Sequence, residues 1–434
     1  MAEIKPFRAW RYNSQLAAFI NDITAPLFDV VSKKQRERLY GNPFNSIHLS
    51  VPSGENSALE AKKTLENWKK TGVILQDQLP AIYVYYQYFS LSGSEKIYCR
   101  KGFICSIKVT DWDEKMILRH ESTMPFSVRD RLELLHETQL NVSPTHGLYT
   151  DSEKQIENYL DESMLSPLYE VEDYQGVRDV LSVIHDVNVI RRIQEIIQEK
   201  QIILADGHHR YEGSLKYKQD RTTENPNHTG KEAYNYHLMF LTNTESDDLR
   251  ILPTHRLVKG IENFSKKWLL ETLENDFSIT MVENTPDINE IIQGKKWTFG
   301  LLIEGDAYKI SLKPDRINTI TWKFPDQIKA LDLTVMHYFI FEKILGIRGQ
   351  NQVNSENLIF QRNFSECMKQ VLLGEVQFGL ITKDISIEEV KQTCYSGYTM
   401  PQKSTYFYPK VISGFLFSSI KEDEFSSPFD TCFR

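Results

Sequence analysis

The stretch "IILADGHHRYEGSLKYK", residues 202–218, decides which fold to expect. Its first residues form an apolar run, typical of a short buried strand, which stops at Asp206-Gly207; a helix-like pattern starts at about Tyr211. A glycine after a strand permits a positive φ and a close approach of another group to the backbone. Just before it, residues 187–200 show the apolar spacing of an amphipathic helix. The sequence therefore predicts helix, strand, turn and helix, with the polar cluster 206–210 at the end of the strand.

The rest of the chain alternates predicted helices with predicted strands and hairpins. Aromatic and β-branched runs predict strands, and apolar spacing of three and four residues predicts helices. The predicted strands are 81–89, 102–110, 236–243, 249–258, 297–304 and 307–313, and the predicted helices are 57–72, 127–139, 265–277 and 332–347. This mixture predicts an α+β fold, a mixed sheet with helices, in a chain of several subdomains.

The chain length indicates more than one compact core, because 434 residues exceed what a single core usually holds. A polar stretch at 220–235 predicts the boundary, with a position after Gly260 as the alternative. The first region, 1–220, is an N-terminal α+β region containing the Asp-Gly-His-His-Arg motif. The second, 221–434, is a C-terminal α+β region that closes the site with the Gln-Lys-Ser-Thr motif of residues 402–405.

Composition excludes several classes of protein. A net charge of -8 argues against broad nucleic-acid binding. The five cysteines are scattered and form no CxxC pair, which is typical of a reduced, intracellular protein. The N-terminus shows no apolar signal segment, and no window of eighteen uninterrupted apolar residues predicts a membrane span. We therefore expect a cytoplasmic protein without membrane or nucleic-acid partners.

The 206–210 cluster suits three roles. Gly207 and the first turn of the following helix form a ready anion site, to which Arg210 adds a planar fork for phosphate or carboxylate. Asp206 suits Mg²⁺ binding or general base catalysis, and His208 and His209 suit proton transfer or phosphate contacts. Adjacent histidines diverge by about 100° on a helix, which disfavours a shared zinc ion. In the structural alternative, Asp206-Gly207 is only a turn and the Asp206 carboxylate caps the helix.

Two further polar groups precede this cluster in the chain. His120 and Glu121 follow a predicted strand, where they suit a base and the group that orients it; solvated residues at a strand end are the alternative. Arg129 and Arg131 lie at the start of a predicted helix. The residues alone favour an exposed charged helix face for these two arginines.

Two other polar groups follow the 206–210 cluster in the chain. His255 and Arg256 interrupt an apolar run, and strand alternation places them on opposite faces, one toward a pocket and one toward solvent. Lys403, Ser404 and Thr405 combine an ammonium with two hydroxyl groups, which suits a phosphate or Mg²⁺, although the glycines of a P-loop are missing. The aromatic run that follows Thr405 suits stacking on a base or core packing.

The sequence resembles the uncharacterised family catalogued as domain of unknown function 1015. Several motifs carry the resemblance in order: "APLFDVVSKKQRERLYGNPFNSIHL" (25–49), "RHESTMPFSVRDRLELLHETQLNVSPTHGLYTD" (119–151), "ADGHHRYEGSLKY" (205–217), "ILPTHRLV" (251–258) and "MPQKSTYFYPKVISGFLF" (400–417). The chain departs from the family pattern at Leu27, where proline or another small residue is common, and at His146, where an apolar residue is common. The resemblance favours Arg129 and Arg131 as binders of acidic groups, but it implies no established activity.

The strand, Asp-Gly-x-His-Arg turn and helix are also similar to the phosphate-binding motif of the ParB/sulfiredoxin superfamily, which includes free-serine kinases. This similarity implies that residues 207–210 cradle a nucleotide phosphate, with Asp206 near Mg²⁺ or the acceptor. It implies ATP or ADP with Mg²⁺ as the cofactor and a ParB/sulfiredoxin-like core in the fold.

Together these features favour a phosphate- or nucleotide-dependent enzyme, best described as a kinase-like phosphotransferase for a small molecule such as serine. In this interpretation Lys403 and Arg256 neutralise developing charge, and Asp206 or Glu121 accepts the proton of the acceptor. One alternative is a metal-dependent hydrolase using Asp206, His208 and His255. The other is a non-enzymatic, nucleotide-binding regulatory protein. Formation of a homo-oligomer stays open.

Overall fold

The computed structural model describes residues 1–26, 33–91, 94–173, 175–352, 355–400 and 403–426. Two residues that the sequence singles out, Leu27 and Gln402, lie outside the described residues. Among the described residues, no helix is both long enough and apolar enough to cross a membrane.

The strands and helices follow one another along the whole chain. The strands are β1 Ile4–Lys5, β2 Trp10–Tyr12, β3 Ile74–Gln76, β4 Ile82–Ser90, β5 Ile97–Lys108, β6 Ile117–Arg119, β7 Leu140–Asn141, β8 Thr145–Tyr149, β9 Tyr169–Glu172, β10 Arg178–Ile184, β11 Ile202–Asp206, β12 Tyr236–Asn243, β13 Arg250–Leu252, β14 His255–Val258, β15 Phe277–Val282, β16 Thr298–Ile303, β17 Asp306–Leu312, β18 Leu358–Gln361, β19 Phe378–Ile381, β20 Tyr406–Tyr408 and β21 Ser418–Ser419. The α-helices are α1 Ser14–Ala17, α2 Ile20–Ile23, α3 Lys33–Tyr40, α4 Ile47–Ser50, α5 Ser57–Thr71, α6 Pro125–Thr138, α7 Glu157–Ser163, α8 Val187–Gln198, α9 His208–Glu224, α10 Lys266–Leu273, α11 Ile288–Ile291, α12 Asp326–Lys329, α13 Asp332–Val335, α14 Phe364–Leu372, α15 Ile387–Tyr395 and α16 Glu422–Phe425.

The chain divides into two compact units. Unit 1 comprises Met1–Arg119, Thr123–Leu249 and Pro409–Arg434, and unit 2 comprises His120–Ser122 and Arg250–Tyr408. The expected boundary near residue 220 falls inside α9, and the strand after it, β12, pairs with β5 and β8 of the same sheet. The compact units therefore do not follow that boundary, because strand pairing carries unit 1 beyond the polar stretch. The alternative boundary after Gly260 falls inside unit 2.

Within the described residues, unit 1 is built on a nine-stranded mixed sheet. Its main path runs β6-β11-β8-β12-β5-β4-β10-β9, and β1 pairs with β5 off this path. Strand β11 is parallel to β6 and antiparallel to β8, while β12 is parallel to β8 and antiparallel to β5. The mixed pairing and the surrounding helices confirm the predicted α+β class.

The sheet of unit 1 is buried on both faces, which explains the unbroken apolar run of β4. Tyr83 and Tyr85 point into one core cluster, where they join Trp68 of α5. Ile82 and Val84 point into the opposite cluster, which also holds the apolar faces of α8 and α9. Because successive side chains of a strand alternate between faces, a strand covered on both sides must be apolar at nearly every position.

Unit 2 contains a smaller antiparallel sheet with the order β15-β17-β16-β19-β14-β18 among its described residues. The predicted single strand 249–258 is wrong: it is split into β13 and β14 by Pro253-Thr254. Proline has no N–H to donate to a sheet ladder, so it interrupts the strand. The predicted helix 332–347 begins as α13 and continues as a π-helix over Met336–Ile344.

Candidate functional site

The turn after β11 needs a glycine at position 207. Gly207 has a φ of 89°, and a Cβ atom there would lie 2.6 Å from Thr145 Cγ2 and 2.8 Å from Arg210 Nη2. Both the left-handed conformation and the lack of space therefore exclude a larger side chain. Asp206, the last residue of the strand, is the register partner of His146 in β8.

Helix α9 begins at His208, three residues earlier than the expected start at Tyr211. His208, His209 and Arg210 therefore occupy its first turn, where a helix presents N–H groups and a partial positive charge. His208 is buried, and His209 Nε2 accepts a hydrogen bond from the Met124 backbone N–H at 3.0 Å. The two imidazoles thus have different surroundings, as expected for adjacent helical residues.

The Asp206 carboxylate lies between two cations. Oδ2 is 3.0 Å from Arg210 Nη2, and Oδ1 accepts a hydrogen bond from Lys410 Nζ. Burial by itself would raise the pKa of Asp206, but the charges of Lys410 and Arg210 outweigh it and hold this pKa well below its usual range. Asp206 is therefore ionised and is a weak proton acceptor.

Both cations are held in place by further contacts. Arg210 Nη1 donates to Ser143 Oγ at 2.9 Å and to the Pro144 carbonyl oxygen at 2.7 Å. The carbonyl oxygen of Lys410 accepts a hydrogen bond from Gln87 Nε2 at 3.0 Å. The side chain of Lys410 is 9% exposed and that of Asp206 is 20% exposed, so their ion pair is only partly open to water.

His146 is a neutral, buried neighbour of this pair. Its ring stacks on Phe240 with centroids 5.2 Å apart, and its Nε2 lies 2.7 Å from Thr242 Oγ1. Burial, assisted by the positive charges of Arg100 and Lys410, lowers the pKa of His146 well below its usual value. His146 therefore places a neutral polar ring next to Asp206, its register partner.

A second histidine, His237, is hydrogen-bonded to Thr145, the residue that packs against the turn. Its Nδ1 lies 2.7 Å from Ser214 Oγ and its Nε2 lies 3.0 Å from Thr145 Oγ1. Burial, with a contribution from the charge of Arg210, lowers the pKa of His237 to about 3, so the ring is neutral. Thr145, whose methyl group restricts position 207, is thus fixed by a hydrogen bond to this ring.

A buried polar network continues from Lys410 into the sheet. Arg100 donates to Gln87 Oε1 and to the carbonyl oxygen of Pro409, while Gln87 Nε2 donates to Asp179 Oδ1 at 2.7 Å. Tyr85 donates its hydroxyl proton to the same oxygen, and Asp179 Oδ2 accepts no hydrogen bond from the part of the chain that the structure describes. Burial raises the pKa of Asp179 to about 7.

Cationic side chains gather at the start of α9. Arg210 and Lys410 both contact the ionised Asp206, and Asp179 titrates near neutral pH. The first turn of α9 adds backbone N–H groups and a partial positive charge. Cationic side chains beside a helix N-terminus form an arrangement suited to an anion.

Sequence patterns did not identify Lys410, Arg100 or Asp179. Each is a charged residue within an apolar run: "YFYPKVISG", "IYCRKGFIC" and "RDVLSVI". Charged side chains are seldom fully buried without a partner, so such positions signal buried ion pairs or networks. That signal marks them as candidates, but it does not reveal which partner each of them meets.

In unit 2, Glu121 is bound by the loop that carries Lys403, Ser404 and Thr405. Its Oε1 accepts hydrogen bonds from the backbone N–H groups of Ser404 and Thr405 and from Thr405 Oγ1, each at 3.1 Å. Its Oε2 lies 3.3 Å from the donating backbone nitrogen of Lys403. His120 is buried beside them, with Nε2 2.7 Å from Thr405 Oγ1. The structure thus brings these five residues together.

His255 and Arg256 are both buried, at 1% and 0% exposure, so the expectation that one faces solvent is wrong. Strand β14 lies between β18 and β19, and both of its faces are covered. His255 Nδ1 accepts a hydrogen bond from the Thr382 N–H at 3.2 Å, and burial lowers the pKa of His255 to about 4.

The two arginines of α6 differ in their surroundings. Arg129 is exposed. Arg131 is partly buried: its Nη1 donates to the Ser50 carbonyl oxygen at 2.7 Å, and its Nε donates to the neighbouring Asp130 at 2.8 Å. Exposure of Arg129 agrees with the charged helix face that the residues alone favour, whereas Arg131 links α6 to the end of α4.

The described residues contain no group of three or more His, Cys, Asp or Glu side chains arranged to hold a metal ion. Asp206, the residue expected near Mg²⁺, has one oxygen on Arg210 and the other on Lys410. Two cations already neutralise this carboxylate, so the arrangement does not fit Mg²⁺ at Asp206.

Comparison with known proteins confirms the family resemblance. The family model described as "Protein of unknown function (DUF1015)" matches residues 4–334. No curated protein matches the chain.

Solved structures give distant likenesses. A free serine kinase in complex with AMP is 14% identical with a TM-score of 0.37, covering 75% of this chain and 93% of that one. A conserved hypothetical protein from Pyrococcus furiosus is 13% identical with a TM-score of 0.37, covering 75% and 97%. SbnI with a C-terminal truncation, from Staphylococcus aureus, is 12% identical with a TM-score of 0.34, covering 71% and 85%. Since the family model matches well over half of its length, the chain belongs to the DUF1015 family.

Proposed function

We propose that the turn of Asp206–Arg210 binds the phosphate of a nucleotide and that the protein is a kinase-like phosphotransferase for a small molecule such as serine. One observation carries the proposal: the largely buried side chains of Arg210 and Lys410 converge on the ionised Asp206 beside the N-terminus of α9. A phosphate placed there meets a guanidinium fork, an ammonium group and a helix N-terminus.

The geometry supports a division of labour between these residues. Phosphoryl transfer depends mainly on positioning the groups and stabilising charge on the transferred phosphoryl oxygens. Arg210 and Lys410 supply the positive charge, and Ser143 and Pro144 hold the Arg210 fork in one orientation. Asp206 is a positioning residue in this proposal, because a carboxylate with so low a pKa is a poor base.

Titration calorimetry with ATP, ADP and AMP tests the binding step. Arg210→Ala removes charge-assisted hydrogen bonds of about 1.5–3 kcal/mol, so we expect affinity to fall roughly tenfold to hundredfold. Arg221→Ala is the matched control, because Arg221 lies on the same helix in a largely exposed ion pair with Glu224. Nucleotide binding that is absent in the natural protein, or unchanged in Arg210→Ala, would refute the proposal.

The transfer step needs a separate assay. Incubation with labelled nucleotide and a panel of small hydroxyl compounds, serine included, should yield a phosphorylated acceptor that Arg210→Ala forms far more slowly. Tight nucleotide binding without turnover of any acceptor would instead favour the non-enzymatic regulatory alternative.

A further inference from the structure

Arg256 is a fully buried cation, and its hydrogen-bond acceptors among the described residues are neutral carbonyl oxygens. Nη1 donates to the Thr254 carbonyl oxygen, Nη2 donates to the Lys403 carbonyl oxygen at 3.3 Å, and the ring of Phe360 lies 5.4 Å from the guanidinium carbon. Within the described residues, Nε has no hydrogen-bond partner, and no carboxylate forms an ion pair with this side chain. Buried charges are normally paired, so Arg256 is suited to receive an anion.

The loop beside it has the geometry of an anion-binding nest, which we define as the backbone N–H groups of residues 403–405. Three successive N–H groups converge on one carboxylate, that of Glu121. Lys403 has a φ of 57°, the left-handed conformation that turns successive N–H groups toward a common point. The loop is therefore shaped for an anion, and a side chain of the protein fills it.

Lys403 connects these two features. Its N–H donates to Glu121, and its carbonyl oxygen accepts from Arg256 Nη2. The negative charge of Glu121 acts on Arg256, yet the two side chains form no ion pair. Two elements that favour anions thus lie on either side of Lys403, and the Glu121 carboxylate reaches only one of them.

We propose that the nest and Arg256 form a binding site for the carboxylate or phosphate group of a small molecule, which displaces Glu121 from the nest. The exchange replaces one anion by another, so the nest keeps its hydrogen bonds while the entering group also reaches the donors of Arg256. No covalent bond forms or breaks. Glu121 leaves the nest as a free carboxylate. This inference does not depend on the proposed function, since it needs neither a nucleotide nor unit 1.

If an anion displaces Glu121, removing Glu121 should change the affinity for that anion. A purely structural role of Glu121 predicts no such change. Glu121 competes with the external anion, and an apparent affinity is reduced in proportion to the fraction of protein in the competent state. Removing the competitor by Glu121→Ala should therefore tighten anion binding by at least about tenfold. A carboxylate that only stabilises the loop would lower the melting temperature on removal, without any gain in anion affinity.

The experiment measures binding of inorganic phosphate and, separately, of acetate to the full chain by calorimetry and thermal shift. All proteins carry Arg210→Ala, so that phosphate does not report on the turn of unit 1. We expect Glu121→Ala to bind one or both anions at least about tenfold more tightly, and the anion to restore its melting temperature. The anion that gains more identifies the ligand class. Glu271→Ala, which removes an exposed carboxylate of unit 2, should change neither value.

Two further variants keep the test decisive. Adding Arg256→Met to Glu121→Ala should return the anion affinity to that of the Arg210→Ala protein with Glu121 in place, because the donors of Arg256 are lost. If Glu121→Ala fails to fold, Glu121→Gln removes the charge while keeping an acceptor for the loop, and a smaller gain is expected. No gain in affinity for either anion in a folded Glu121 variant would overturn the proposal. If Glu121→Ala gains affinity for an anion while the natural protein binds no nucleotide, the proposed function is refuted and the inference about Glu121 and Arg256 stands.

Discussion

The carboxylates of Asp206 and Glu121 are bound in contrasting ways. Asp206, in unit 1, lies between the side chains of two cations, whereas Glu121, in unit 2, is held by the backbone amides of a loop. Both arrangements use a left-handed residue, Gly207 in the first and Lys403 in the second. The difference teaches that cationic side chains set the pKa and charge of Asp206, while backbone amides set the shape of the nest around Glu121. Among the described residues, the buried cation beside that nest, Arg256, has no ion pair.

The largest expected effect comes from comparing substitutions of the two cations, Lys410 and Arg256. Lys410→Met leaves Asp206 partly buried with one partner, and breaking such a pair costs about 3–5 kcal/mol in the free energy of unfolding. Arg256→Met removes a cation that has no ion pair in the part of the chain that the structure describes, so we expect a change of less than about 1 kcal/mol despite its complete burial. Urea unfolding measures both values, and a larger cost for Arg256→Met would contradict the comparison.

The second effect concerns the backbone of the turn in unit 1. Gly207→Ala combines a left-handed backbone with a Cβ contact of 2.6 Å, and we expect a loss of about 2–3 kcal/mol of stability. Gly230→Ala is the control, because its φ is also positive, at 80°, but a Cβ there meets nothing within 4 Å. It should cost only about 1 kcal/mol. Equal melting temperatures for the two variants would show that the space at position 207 is not restrictive.

The smallest effect is on the pH dependence of stability in unit 1. The pKa of Asp179 is raised to about 7 in the folded state, so the unfolded chain loses this proton first as the pH rises. Asp179 therefore destabilises the fold progressively between about pH 4 and pH 7. From pH 5 to pH 8 the natural protein should lose on the order of 2 kcal/mol relative to Asp179→Asn. Asp206, whose pKa is lowered, acts with the opposite sign and at more acidic pH.

The comparison of these two proteins at each pH isolates Asp179, because the buried histidines contribute equally to both. Asp161→Asn, at a half-exposed carboxylate, is the control substitution. Parallel stability curves for the natural protein and Asp179→Asn would mean that this carboxyl group does not titrate near neutral pH.

Local patterns were enough to predict the α+β class, the strand β11, the following helix and the special glycine at 207. Each of these depends on residues only a few positions apart, where periodicity and turn chemistry are informative. The partner of Asp206 could not be predicted in this way, because Lys410 lies 204 positions further along the chain. Similarly, the bonds to Glu121 come from backbone amides, which every residue except proline has and no side-chain pattern reveals.

The order of the segments in unit 1 has a consequence for synthesis of the protein. Asp206 and Arg210 are translated long before Pro409–Arg434, and the long segment Arg250–Tyr408 of unit 2 must be made in between. On the ribosome, the strand, the turn and the first turn of α9 can form while Lys410 does not yet exist. The second cation at Asp206 therefore arrives only after the segment Arg250–Tyr408 has been made, so a chain that terminates before residue 410 carries the motif but not both of its cations.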